Sequence, residues 1–363
     1  MRGIAIMLVM GFHYFYHLES FYYKSTFYPY GETFSNVLIF KYGYLGVELF
    51  FVISGFVIAM TLESSRSLLD FAVRRFVRIW PALIVSAVIT FFVLNWSDAP
   101  FALTRRQFWP NFLPSLTLTP TALWSGFFPK VDFVTGVYWS LVVEIRFYII
   151  ALVLYGLFMP QKFARNLVIF TVIIYIARAL LRRWLPGYNG VYDGLLVPDY
   201  MPWFAAGAVF FDLYKARLTK GAALILLAIA YVMIARISTN YAVIGRDPLF
   251  SSAVGLLFLA LFWLLATAPA SLRLFEVRPL VWIGECSYSV YLYHYVFGMI
   301  PISMISKTIG LGPQLLLVAV IWLLVLVLGR MSYTLVENPA RRWLTRLLIG
   351  SPRQSQAGSP SAA

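Results

Sequence analysis

The 363-residue chain contains three histidines, His13, His17 and His294, each in or beside an apolar run where an imidazole is costly unless it has a partner or a task. His13 follows Arg2 by eleven residues. In a helix, at ~100° per residue, this is nearly three full turns, so the two side chains share a face about 16 Å apart. With Arg2 at a membrane surface, that rise carries His13 toward the middle of a hydrocarbon core of ~30 Å. An imidazole there can take and return a proton near neutral pH if a polar cavity reaches it; the alternative is a histidine hydrogen-bonded within a helix bundle. His17 lies one turn further and would complete a His-x-x-x-His pair with His13. No carboxylate on that face supports zinc, and no metal is expected.

Glu144 shares a helix face with Ser140 and Tyr148 at four-residue spacing, whereas Arg146, two residues away, points elsewhere. A carboxylate in an apolar run needs a cation, a donor or a proton, and His13 or a basic cluster on another helix could supply it. Arg75 and Arg78, three apart on one face, form a two-guanidinium group suited to phosphate, although arginines at a membrane boundary also serve as topology anchors. His294, at the end of Ser287-Tyr288-Ser289-Val290-Tyr291-Leu292-Tyr293-His294, is either a second catalytic group or a hydrogen-bonded interfacial residue. Ser54 and Gly55 read as small residues that let helices approach closely.

These residues need elements to hold them, and the composition says which kind. With 61% hydrophobic and 12% charged residues, against ~25% charged in soluble globular chains, an ordinary soluble protein is excluded. Apolar runs near the length that spans a bilayer as helix, roughly 17–25 residues, occur at about ten places. They lie near 3–18, 42–62, 79–96, 137–159, 167–181, 199–214, 221–236, 249–268, 281–301 and 312–330. The expected fold is an all-α polytopic membrane protein, a bundle of about ten transmembrane helices. The pair 199–214 and 221–236 is open to being a re-entrant hairpin.

Placing both termini in the cytoplasm puts 17 Lys and Arg residues in the inner segments and 11 in the outer ones, the bias expected of inner loops. The first run lacks a small-residue cleavage pattern and is read as a retained span rather than a signal peptide. A single domain over 1–350 and a short disordered Ser, Pro, Gln and Ala tail over 351–363 complete the layout, with no appended soluble domain expected. The net charge of +14 is spread over membrane-flanking segments, which points to membrane lipid and away from nucleic acid. Two outer connections are rich in aromatic rings: roughly 19–41, with Phe21, Tyr22, Tyr23, Tyr28 and Tyr30, and roughly 97–136, with Trp109, Trp124, Phe127 and Phe128.

Taken in order, the motifs resemble the acyltransferase-3 family of integral membrane acyltransferases. The match begins with Arg2, ten intervening residues and His13, and continues through Phe50-Phe51-Val52-Ile53-Ser54-Gly55-Phe56. It goes on through Arg75-x-x-Arg78 with Pro81, Trp139-Ser140-Leu141-x-x-Glu144 with Phe147-Tyr148, Ser287-Tyr288-Ser289 to His294, and Glu337-Asn338-Pro339 with Arg341. Each motif alone is weak; the ordered series covers nearly the whole chain. The family commonly has a second acidic residue and a glutamine after the fourth-span glutamate, where this chain has Ile145 and Arg146. The chain also begins at the motif arginine, as from a start assigned late or a naturally short end.

The resemblance implies an acyl-CoA donor, most simply acetyl-CoA, on the cytoplasmic side of a bacterial inner membrane. It implies a hydroxyl of a carbohydrate or glycolipid as acceptor, such as exopolysaccharide, lipopolysaccharide or a lipid-linked precursor, with polysaccharide-assembly proteins as candidate partners. Under it, Arg2, Arg75 and Arg78 hold the CoA phosphates and His13 acts as general base or transient acyl carrier. Glu144 orients His13 or stabilises its charged form, and Trp139, Ser140 and His294 contact substrate. The main rival is a transporter of a glycan or small solute, which would share the spans and the sparse intramembrane charge. A transporter has no reason to combine the basic-x10-His spacing with the Arg-x-x-Arg pair.

Overall fold

The computed structural model describes residues 1–17, 27–185, 191–239 and 247–349. Phe21, Tyr22, Tyr23, Lys24, Arg246, Arg353 and the tail 351–363 lie outside the described residues. Among those described, the regular structure is entirely helical. The main helices are α1 (Arg2–Phe15), α2 (Gly46–Ser64), α3 (Leu68–Trp96), α4 (Trp139–Leu157), α5 (Phe163–Trp184) and α6 (Met201–Tyr214). They continue with α7 (Lys220–Ser238), α8 (Pro248–Thr267), α9 (Ser287–Met304), α10 (Leu311–Ser332) and α11 (Asn338–Ile349).

Eight helical segments among the described residues are long and apolar enough to cross a membrane: those containing α2 to α8, and α10 continued by α11. The remaining two expected spans, 3–18 and 281–301, are α1 and α9, and these carry the histidines. Helix α1 has 14 residues, about 21 Å, and so falls short of a full bilayer crossing. Helix α9 is lowered in hydropathy by its Ser, Tyr and His residues, and most of it is buried inside the bundle. The two helices least suited to lipid are thus those enclosed by the others.

Helix α3 begins eleven residues earlier than the apolar run at 79–96 suggests. Ser67 caps it by accepting from the Asp70 N–H at 3.1 Å, and the Asp70 carboxylate accepts from the Arg66 N–H at 2.9 Å, a reciprocal cap that starts the helix in polar sequence. Arg75 and Arg78 therefore project from inside a 29-residue helix rather than flanking it.

Lipid gives helices little hydrophobic reason to associate, so close backbone contact has to supply the adhesion. Helices α2 and α6 cross where Gly55 meets Gly207. A Cβ at Gly55 would sit 2.1 Å from the Phe204 carbonyl oxygen, and one at Gly207 would sit 2.1 Å from that of Val52. Almost all of α6 is buried as a result, which makes it a central post of the bundle.

Helix α1 is held against α9 by Tyr14, whose hydroxyl donates to the His294 carbonyl at 2.9 Å and whose ring occupies the space a side chain at Gly298 would fill. Tyr28 also donates to the His13 carbonyl at 2.6 Å, so the outer connection grips the end of α1. A π-helical turn, Tyr333–Glu337, joins α10 to α11. Helix α11 displays Arg341, Arg342 and Arg346 together with exposed Trp343, Leu347 and Leu348, the composition of a helix lying in a membrane interface.

Candidate active site

Two cavities meet the histidine helices. The first is a partly open pocket of about 560 Å³, solvent at its mouth included, lined by Arg2, Ser54, Arg78, Ser140, Glu144, Tyr288 and Tyr291 among others. Ser54 donates to Glu144 Oε1 at 3.1 Å, and the Tyr148 hydroxyl donates to the same oxygen. The Tyr288 hydroxyl donates to the Ile79 carbonyl at 2.9 Å, fixing its ring beside Arg78. Ser140 and Tyr291 share a hydroxyl–hydroxyl hydrogen bond of 2.7 Å.

Arg75 lies under this group. Its Nη2 donates to Thr61 Oγ1 at 3.0 Å, and its guanidinium carbon stands 5.6 Å and 5.9 Å from the ring centroids of Phe71 and Tyr148. Its Nε and Nη1 are buried with no acceptor. Unsatisfied buried donors cost ~1–3 kcal/mol, more when charged, and an incoming anion would relieve that cost. The carboxylates of Glu144 and Glu337 lie within electrostatic range of Arg78 and Arg2. Glu337 is buried and accepts from Ser289 Oγ at 2.7 Å. The π turn places it there by adding a residue to the helical repeat, a device frequent at functional sites.

His13 and His294 form a pair. His294, fully buried, has Nδ1 at 2.7 Å from the Tyr291 carbonyl and Nε2 at 3.3 Å from His13 Nδ1. His13 Nδ1 is also 2.9 Å from the Val9 carbonyl. A carbonyl can only accept, so neutral His294 carries its proton on Nδ1 and presents a bare Nε2. His13 Nδ1 then faces two acceptors and must carry the proton, which leaves Nε2 as the lone-pair nitrogen of neutral His13.

The second cavity, about 690 Å³, lies further along the bundle. It is lined by Leu94 of α3, Tyr295 of α9 and much of the 97–136 connection. Arg78 and Leu94 are sixteen residues apart on α3, about 24 Å along the helix, which sets the spacing of the cavities. Neither histidine lines either cavity; the pair is reached from each through one tyrosine. Tyr291, lining the first cavity, has its ring 5.3 Å from that of His294; Tyr295, lining the second, has its ring 4.9 Å from that of His13.

Of the residues singled out in the sequence, Arg2, Arg78, Ser140 and Glu144 share the first cavity, Arg75 lies beside it, and His13 and His294 meet each other outside both cavity linings. Trp139 packs on Tyr200, with ring centroids 5.3 Å apart, and is not part of either cavity lining. Glu144 accepts from Ser54 and Tyr148, and the ring nitrogen found next to His13 Nδ1 is Nε2 of His294. Ser54, read as a packing residue, is a cavity residue bonded to Glu144. Among the described residues no group of three or more His, Cys, Asp or Glu side chains converges as a metal site.

Residues 1–330 match the model of a family described as an acyltransferase domain. The chain is 26% identical over 333 residues to the O-acetyltransferase OatA of Staphylococcus aureus strain NCTC 8325, covering 83% of this chain and 53% of that protein. It is 25% identical over 340 residues to the peptidoglycan O-acetyltransferase OatA of Listeria monocytogenes, covering 83% of this chain and 52% of that protein. It is 26% identical over 325 residues to the membrane-bound transacylase BcsY, so named as putative, of Komagataeibacter xylinus, covering 87% of this chain and 81% of that protein. The chain thus spans about half the length of the OatA relatives. No solved structure matches it.

Proposed function

The chain belongs to the acyltransferase-3 family, and from that premise we propose that it is a multi-pass O-acyltransferase of the bacterial inner membrane. It moves an acetyl group from cytoplasmic acetyl-CoA to a hydroxyl of a cell-surface or exported polysaccharide, or of its lipid-linked precursor. The name of the Listeria relative, a peptidoglycan O-acetyltransferase, supports transfer to a cell-envelope carbohydrate. The observation that carries the reading is the contact of His13 with His294, placed between Tyr291 of the first cavity and Tyr295 of the second.

In this reading Arg2, Arg75 and Arg78 hold the CoA phosphates at the first cavity, and the orphaned donors of Arg75 find their acceptors there. Glu144 and Glu337 hold the guanidinium groups apart and in place. The pantetheine arm extends to the histidine pair. As the acceptor oxygen attacks the thioester carbonyl, His13 Nε2 removes its proton; the carbon–sulfur bond breaks, and the same proton passes to the departing CoA sulfur. Alternatively Nε2 attacks the thioester and takes the acetyl group, CoA leaving as thiolate, and then hands it to the acceptor, whose proton passes to that thiolate; both routes use one lone pair. His294 accepts the Nδ1 proton of His13 in a hydrogen bond and so steadies the imidazolium, the orienting part that a third group plays in a catalytic triad.

Membranes containing the chain, incubated with radiolabelled acetyl-CoA and envelope glycan, should transfer label to an alkali-labile ester; the absence of any CoA-dependent transfer would refute the reading. Arg78→Ala should raise the KM for acetyl-CoA by about 10- to 100-fold, the value of one charge-assisted hydrogen bond of ~1.5–3 kcal/mol. Arg78→Lys should recover only part of it, because a point charge cannot reproduce the planar fork. An unchanged KM in Arg78→Ala would leave that arginine as a topology anchor.

A further inference from the structure

The second cavity carries more positive charge than acyl transfer itself requires. Its wall includes Arg105, Arg106 and Lys130 with one carboxylate, Asp132. Arg106 is committed to the wall, donating to the carbonyls of Leu94 and Asn95 and pairing with exposed Asp98 at 3.2 Å. Arg105 holds its guanidinium carbon 5.9 Å from the ring centroid of Phe101, and Phe101 touches Tyr295, the neighbour of His13. Lys130 is exposed at the rim, with its backbone in the left-handed region at φ 60°.

The wall is built rather than loose. Asn111 Oδ1 accepts from the Asp132 N–H at 3.0 Å, and Ser115 Oγ accepts from the Val134 N–H at 2.8 Å, tying the strand of connection at 132–134 to a short helix. Next to it Thr135, 4% exposed, is a lining residue whose Oγ1 is buried behind the cavity wall with no hydrogen-bond partner. A buried hydroxyl without a partner is a cost that a ligand oxygen would relieve.

We propose that this cavity binds an anionic saccharide, one whose carboxylate or phosphate is drawn by Arg105 and Lys130 while a ring oxygen or hydroxyl pairs with Thr135. The acceptor of the proposed reaction would therefore be an acidic glycan, presented to His13 past Phe101 and Tyr295. The identification as acceptor rests on the acyl-transfer reading, whereas the binding does not. Charge in a cleft also raises the local concentration of its counter-ion, and that attraction falls as salt rises.

The test is isothermal titration of the full chain, purified in detergent, at low and high salt with three probes: a glucuronate oligomer, a neutral glucose oligomer of equal length, and glucose 1-phosphate. At least one anionic probe should bind at least tenfold more tightly than the neutral oligomer. Preference for the glucuronate oligomer assigns a carboxylate and preference for the sugar phosphate assigns a phosphate. Lys130→Gln should weaken the anionic probe about fivefold, Lys130→Arg should restore it, and Thr135→Val should weaken anionic and neutral sugars alike. Equal affinity for charged and neutral probes, or unchanged affinity in Lys130→Gln, would overturn the proposal. Anion-selective binding by a chain that moves no acetyl group would support the site while refuting the acyl-transfer reading.

Discussion

His13→Ala is expected to reduce acetyl transfer about a thousandfold while leaving a folded chain. Positioned proton transfer contributes 10²- to 10⁴-fold in enzymes, and here the base and any acyl carrier are the same nitrogen, so no parallel route survives its loss. A thousandfold corresponds to about 4 kcal/mol of transition-state stabilisation. The fold should persist because α1 is held by contacts His13 does not make, notably Tyr14 donating to the His294 carbonyl and filling the space over Gly298. The check is the initial rate of acceptor-dependent CoA release, alongside the thermal unfolding midpoint of the same preparation. A rate within tenfold of the wild type would remove His13 from the chemistry.

Gly207→Leu should be the most damaging change to stability. Even the first atom of a new side chain would lie 2.1 Å from the Val52 carbonyl oxygen, a backbone atom that cannot turn aside, so α2 and α6 would have to separate. Overpacking a well-filled interior costs ~1–3 kcal/mol, and the lost contact along a helix buried on nearly every side adds to it. The separation would reach the site: α2 carries Ser54, the donor to Glu144, and Phe204 of α6 stacks on Phe147 of α4 at 4.0 Å between ring centroids. The variant should therefore elute from size exclusion largely as aggregate, and any remaining monomer should unfold well below the wild type. A midpoint within a degree or two of the wild type would contradict the close crossing.

Much of this site is legible in local spacing. Eleven residues from Arg2 to His13 and three from Arg75 to Arg78 are statements about helix faces, and helices are what a chain this apolar must form. The helix boundary at Ser67 was also legible, as a capping serine followed three residues later by aspartate, but a search for unbroken apolar runs stops at the arginines. The partner of His13 was not legible. His294 lies 281 residues away, and nothing in the pattern of either helix encodes which two faces will meet. Glu144, which the resemblance implies orients His13 or stabilises its charged form, accepts from Ser54 and Tyr148. Glu337 is legible as part of the closing Glu337-Asn338-Pro339 motif but not as a neighbour of Arg2 and Arg78, because the π turn shifts the face on which it emerges.

The central claim is that acetyl transfer from CoA at the first cavity to an acceptor at the second goes through His13, as base or as acyl carrier. Reconstitution in sealed vesicles tests it directly, with oriented protein, radiolabelled acetyl-CoA confined to the face of Arg2 and Arg78, and acceptor glycan confined to the other. The account predicts labelled glycan on the side that never held acetyl-CoA, and its loss in His13→Ala. Transfer only when donor and acceptor share one face, or cross-membrane transfer that survives His13→Ala, would contradict it.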